Sequence, residues 1–352
     1  MTDATSSVPP TPRPGEIAAR EPALAHLMPG WFATVLGGAG LALAWHRAEP
    51  WVGAAGGTVV AAIGVLAAAA YAVLLVASVV RAARHPGALR EDLAHPVRRG
   101  FVAAVPLGLL LLVTIAVATG HASAPGVAAL WWLAALAELA VTVWVLSAWL
   151  APAGRPGAGF AWPGITPVLF IPIVGNVLVP LAGVSLGATE WALAQFGVGL
   201  LFWPLATALL FVRLGQAGPL PPRLMPSWFI LVAPPAVVGL ASGVFGAPPA
   251  LAWMAWGVAT FFLAWTLPIV PRLLKLPFAI PHWATSFPVA AYAALSLKLA
   301  AQPGGGWLAA PALALLAVAT LLVVALSVAT LAGLVRGTLL VPEPAPAPAV
   351  TR

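Results

Sequence analysis

The fold expected from this sequence is an all-α polytopic membrane protein, with ten transmembrane helices paired as five hairpins. Three observations lead there. Of the 352 residues, 62% are hydrophobic and only 7% are charged, too few charges to cover a soluble protein of this size. The apolar residues gather in ten segments, each near or above the length that spans hydrocarbon as a helix. They run over 29–46, 51–81, 100–120, 126–150, 164–185, 189–213, 227–246, 249–270, 277–300 and 307–336. The lysines and arginines also fall on alternate connections. With both termini inside, the inner side receives Arg13, Arg20, Arg81, Arg84, Arg90, Arg98, Arg99, Arg155, Arg213, Arg223, Arg272, Lys275, Arg336 and Arg352, and the outer side only Arg47 and Lys298. That asymmetry sets the orientation and requires an even number of spans.

Residues 1–27 carry five prolines and mixed charges without an apolar run, so they read as a flexible tail and not as a signal peptide. The first segment follows, rich in glycine at Gly30, Gly37, Gly38 and Gly40. The third holds Pro106, the fifth Pro167, Pro172 and Pro180, the seventh Pro234 and Pro235, and the ninth Pro288. Even-numbered segments carry fewer breaks, chiefly Pro204 and Pro268. A proline removes one backbone donor and kinks a membrane helix. Broken helices are tolerated at membrane depth where protein or a water-filled cavity receives the freed groups. Gly and Pro are common in membrane helices generally, but their concentration on alternate segments points to an inner set around a pore. The last residues, 338–352, are rich in Pro and Ala, which alternate from Val341 through Pro348, and read as a solvated, extended tail.

The connections fit hairpins. Arg47–Pro50, Leu186–Ala188 and Gly246–Pro248 are short outer links, whereas Arg84–Arg99 and Gly215–Pro226 are longer inner ones. Short links force antiparallel neighbours. Odd segments begin near residues 29, 100, 164, 227 and 277, so the hairpin recurs at a spacing of roughly 60 residues and suggests a ring.

Several function classes find no support. There is no cysteine, and the six histidines (His26, His46, His85, His95, His121, His282) show no metal-ligand spacing, so neither a metal nor another cofactor is expected. No Walker motif, GxSxG or paired carboxylates argue for an enzyme or a primary pump. The net charge of +7 reflects membrane topology, since the basic residues lie between apolar segments; nucleic acid is not an expected partner.

The stretch Pro281-His282-Trp283-Ala284-Thr285-Ser286-Phe287-Pro288 stands apart, inside a region without an acidic residue from Leu267 to Ala300. It places hydroxyls and a large ring at a bend. Two readings are open for Phe287: an aromatic plug in a narrow passage, or a ring packed beside a kink.

With Met28-Pro29-Gly30-Trp31-Phe32, Leu43-Ala44-Trp45-His46, His95-Pro96-Val97-Arg98 and Ala233-Pro234-Pro235-Ala236 in this order, that stretch resembles the tellurite-resistance/dicarboxylate transporter family, which includes TehA and the plant slow-type anion channels. The resemblance covers residues 28–337 and is most specific at Trp283-Ala284-Thr285-Ser286-Phe287-Pro288. It implies that the odd helices form an inner ring of pseudo-five-fold symmetry around a central pore. It also implies a homotrimer with one pore per subunit, in the cell inner membrane, passing small inorganic or carboxylate anions. Phe287 is then the gate, with Gly37, Pro106, Pro172, Pro234, Ser286 and Pro288 as candidates to line the pore. The first segment departs from a relative in carrying Val35 and several glycines where that relative has a mid-helix proline.

Three further residues are singled out. Glu138, mid-way along the fourth segment, is an intramembrane carboxylate: either a proton relay or coupling site, or a protonated acid or one hydrogen-bonded to a neighbouring helix, on a helix expected away from the pore. Arg98 and Arg99 open the third segment and would draw anions to an inner vestibule, besides setting topology. Asn176, Ser185 and Thr34 have no fixed direction in the sequence.

Overall fold

The computed structural model describes residues 22–150 and 161–342. The expected tails before residue 22 and after residue 342, and Arg155, lie outside the described residues. Residues 22–27 are part of the packed structure: Ala23–His26 makes a 3-10 turn, Ala25 and Leu27 are buried, and the Ala25 carbonyl accepts a bond from Arg81 Nε at 3.0 Å.

Among the described residues every regular element is helical. After a 3-10 turn over Pro29–Phe32 come α1 (Ala33–Val52), α2 (Ala54–Arg84) and the short α3 (Pro86–Ala94). A 3-10 turn over Arg98–Ala103 leads into α4 (Ala104–Ala118), and α5 (Val127–Ser147) follows. The fifth apolar segment is fragmented into 3-10 turns, α6 (Phe170–Val174), a further 3-10 turn over Gly175–Leu178, and α7 (Pro180–Gly183). Then come α8 (Thr189–Ala217), a long 3-10 run over Pro222–Val232 into α9 (Ala233–Ser242), α10 (Pro249–Thr266) and α11 (Val270–Leu273). The chain closes with a 3-10 turn over Ile280–Thr285, α12 (Ser286–Ala300) and α13 (Ala309–Val335).

Seven of these runs are long and apolar enough to cross a membrane: Ala54–Arg84, Arg98–Ala118, Val127–Leu150, Thr189–Ala217, Pro222–Ser242, Pro249–Leu273 and Gly306–Val335. The other apolar segments of the sequence form α1, the interrupted run around α6 and α7, and the 3-10/α12 run. Proline explains the interruptions. Pro167, Pro172 and Pro180 each deny a donor to the helical ladder, and the chain answers with 3-10 turns.

One boundary differs from expectation. The link placed at Arg47–Pro50 is helical, since α1 runs to Val52 with Pro50 in its last turn. The actual turn is Gly53, whose φ of 64° reverses the chain straight into α2. A proline so near a helix end disturbs only the final turn.

Burial alternates along the chain. The most apolar window of Pro222–Ser242 is 89% buried, against 22% for Ala54–Arg84 and 28% for Gly306–Val335. In α12 only Phe287 and Lys298 escape full burial. The exposed helices present Leu66, Val76, Leu201, Phe261 and Leu321 outward, which is the composition lipid requires. They are tied inward by side-chain bonds: Trp45 Nε1 to Thr320 Oγ1 at 3.1 Å, Trp256 Nε1 to Ser296 Oγ at 3.0 Å, and Trp283 Nε1 to Thr330 Oγ1 at 2.9 Å. Each of these indoles thus keeps its donor satisfied.

A basic vestibule and an apolar neck as the candidate functional site

The five broken or heavily buried segments meet around one apolar space. A cavity of about 80 Å³ is lined by Leu36 of α1, Leu107 of α4, Val174 of α6, Pro234 and Val237 of α9, and Phe287 with Pro288 of α12. Its wall is almost wholly hydrocarbon, as the residue types dictate. Phe287 is only half-buried in an otherwise enclosed helix, because one side of its ring faces this neck.

The other side of the ring rests on α1. A Cβ added at Gly40 would sit 2.8 Å from Phe287 Cδ2. Glycine is therefore what allows α1 to approach the ring this closely. One turn earlier, Gly37 faces Ser286 and Trp283, so it builds the α1–α12 contact and is not among the residues lining the neck. Ser286 is buried and donates to the Trp283 carbonyl at 2.7 Å, which holds the turn before Pro288.

Below the neck, and sharing Ala33, Phe101 and Ala284 with it, opens a vestibule of about 650 Å³. Arg98, Arg99, Arg213 and Arg223 line it, and no acidic residue is among its described lining. His95 shapes one wall: its Nδ1 accepts from the backbone N–H of Val97 at 3.1 Å and of Arg98 at 3.2 Å, fixing the turn that starts the α4 run. Arg99 lies with its Cζ 5.3 Å from the centre of the Trp144 ring, a cation–π contact that turns the guanidinium against α5. Arg213, at 3% exposure, donates from Nη1 to the Gly218 carbonyl, at the turn that ends α8.

The structure sorts the sequence candidates. Phe287, Pro234 and Pro288 lie on the neck, and Arg98 and Arg99 on the vestibule. Gly37, Pro106, Pro172 and Ser286 are buried without being among the neck's lining. The Pro172 carbonyl is received by protein: Thr142 Oγ1 donates to it at 2.6 Å and Asn176 Nδ2 at 3.3 Å. Asn176 points away from the neck, since its Oδ1 also accepts from Gln195 Nε2 of α8 at 2.8 Å. Thr34 donates to the Trp31 carbonyl at 2.8 Å, and Ser185 is exposed.

Glu138 is closer to this centre than its place on α5 suggests. It is fully buried, neither carboxyl oxygen has a hydrogen-bond partner, and a Cβ at Gly175 would meet its Oε1 at 2.7 Å. Gly175 is itself on the neck, so the carboxyl stands directly behind the wall. An acid held by a hydrogen bond to a neighbouring helix is thus not what the structure contains.

Sequence reasoning missed Arg213 and Arg223 as vestibule residues, because the loop that folds them inward spans two segments. It also missed Gly40 and Gly175, whose only signal was glycine on a segment already rich in breaks. At the opposite end of the molecule Lys298 Nζ donates to the carbonyls of Gly239 and Leu240 at 2.9 and 3.0 Å, capping the last turn of α9.

The family model described as SLAC1, voltage-dependent anion channel, matches residues 26–334. The S-type anion channel SLAH2 of Arabidopsis thaliana is 27% identical over 224 residues, which is 62% of this chain and 41% of the relative. SLAH3 of the same plant is 26% identical over 246 residues, 69% of this chain and 38% of the relative. The chain therefore spans about two-fifths of the length of these relatives.

Proposed function

This chain belongs to the SLAC1 family of voltage-dependent anion channels, and on that premise we propose that it passes small inorganic or carboxylate anions through a pore closed by Phe287. The vestibule gathers anions, the neck is the barrier, and the ring is the plug. The observation that carries this reading is the half-buried Phe287 ring, set between Gly40 and a neck to which five segments of the chain contribute. A ring across a narrow apolar passage excludes water, and a dry gap is a barrier to any hydrated anion.

The finer architecture belongs to the same proposal. Residues 28–337 form one transmembrane unit between the segments 1–27 and 338–352, of which residues 22–27 pack against it. The three remaining apolar segments, α1, the interrupted run around α6 and α7 and the 3-10/α12 run, also cross the membrane, giving ten spans in five hairpins with the odd ones inside. The unit assembles as a homotrimer in the inner (plasma) membrane, both termini cytoplasmic; the partition of lysine and arginine supports that orientation.

Phe287→Ala in protein purified and reconstituted tests the gate. A gate residue yields a folded, leaky protein with several-fold higher chloride or nitrate flux. A core residue yields an unstable protein, poorer by about 3–5 kcal/mol, with no gain in flux. A folded variant with unchanged flux refutes the gate.

Glu138 motivates a second reading, because a carboxyl lies directly behind Gly175 of the neck. In it the protein is a proton-coupled carrier or exporter of C4-dicarboxylate, sulfite or tellurite-type anions, with Glu138 taking the proton. Glu138→Gln then abolishes any dependence of flux on a pH gradient. Coupling that survives the substitution removes Glu138 from this role.

A further inference from the structure

The vestibule is far larger than the neck needs. At about 650 Å³ it matches a pocket for an organic ligand, whereas the neck holds about 80 Å³. Four arginines from three separate stretches converge on it: Arg98 and Arg99 from the turn before α4, Arg213 from the end of α8, and Arg223 from the run before α9. Topology alone asks for basic residues at the aqueous rim. It does not ask for two of them, Arg99 at 7% and Arg213 at 3% exposure, to be sunk into one cavity wall. Phe101 and Trp149 add apolar surface to the same cavity.

We propose that the vestibule is a saturable binding site for an organic anion carrying three carboxylates, and that such an anion blocks the pore from the vestibule face. Guanidinium and carboxylate match as planar, bidentate partners, so a molecule with several carboxylates engages more than one of Arg99, Arg213 and Arg223 at once, Arg98 being paired with Asp92 at 3.1 Å. A single halide or nitrate satisfies one at a time and moves on. The tricarboxylate is held, and the 80 Å³ apolar neck beyond offers it neither room nor a polar partner. Bound there it occupies the conduction path, so cytoplasmic carboxylate level would set the current. This inference rests on the pore reading above and adds a ligand and its mode of inhibition.

The test uses the full chain in planar bilayers, carrying nitrate current, with tricarballylate added to one face and then the other. Block from one face only, deepening as the voltage drives anions from that face into the neck, is the expected result. Acetate at matched ionic strength should leave the current unchanged. Arg223→Gln, at an exposed position, should raise the half-blocking concentration about tenfold, and Arg213→Gln at least as much. Tricarballylate should also raise the thermal unfolding midpoint of the detergent-solubilised protein, less so in Arg223→Gln; this readout needs no current. A conducting protein with neither block nor thermal shift overturns the site and leaves the pore reading standing. A protein that does not conduct but is stabilised by tricarballylate keeps the site and overturns the pore. Equal block by acetate, or a current carried by tricarballylate itself, overturns the proposal.

Discussion

Asp92 is 1% exposed and lies between two arginines, its carboxylate 2.7 Å from Arg81 Nη1 and 3.1 Å from Arg98 Nη1. Through Arg81 it fastens the segment before α1, and through Arg98 it fixes one edge of the vestibule. Asp92→Asn leaves Arg81 buried without its counter-charge, and should cost about 3 kcal/mol, read as a lower thermal unfolding midpoint in detergent. Glu138 is the opposite case, since neither of its oxygens has a partner to lose. Replacing an unpartnered buried polar group by hydrocarbon of similar size is neutral or stabilising. Glu138→Leu is therefore expected to fold with an unfolding midpoint no lower than the parent's. A clear drop in midpoint would show that the carboxyl stabilises the packing. Glu138 was legible as unusual from the sequence, because a lone acid among apolar residues needs no fold to be noticed. Its position behind Gly175 was not legible, because α5 and the turn after α6 meet only in three dimensions.

At the scale of elements, α1 and α12 set the gap in which the Phe287 ring sits. Gly40 is the contact on one side, and the kinked start of α12 carries the ring on the other. Gly40→Ala puts a methyl where the ring now lies and should push it toward the neck, lowering anion flux measurably in reconstituted protein. Once the ring is gone the same methyl meets only the Ala290 methyl, at 3.4 Å, which is tight but has room to give. Gly40→Ala should therefore be almost silent in a Phe287→Ala background, a coupling of at least about 0.5 kcal/mol in the double-mutant cycle. Additive effects would separate α1 from the ring. The prolines of the odd segments announced broken helices correctly, and for a local reason: a missing N–H interrupts the ladder wherever the chain goes. Which neighbour receives the freed groups was a tertiary matter. At Pro172 its own carbonyl is bonded by the side chains of Thr142 and Asn176.

For the molecule as a whole, four arginines converge at one end while Lys298 lies at the other. The basic end should steer anions in a salt-dependent way, because charges on an open vestibule are screened over about 10 Å at 0.1 M salt. Arg223→Glu should reduce unitary current several-fold at low ionic strength and much less at high ionic strength. An equal reduction at both would mean that Arg223 acts by contact and not by its field.

Membrane residence and the interruption of the fifth segment were both determined by the sequence alone. Each is a property of composition or of local spacing, which hydrocarbon and the hydrogen-bond ladder read directly. The tertiary structure decided the rest. It ran α1 on through Pro50 to Gly53, turned Asn176 away from the neck, and brought Arg213 and Arg223 beside Arg98 and Arg99. It also set Gly40 against Phe287 and Gly175 against Glu138. These are meetings between residues far apart in the chain, where the distance of closest approach is fixed by packing of the two backbones, and no pattern within either segment encodes it.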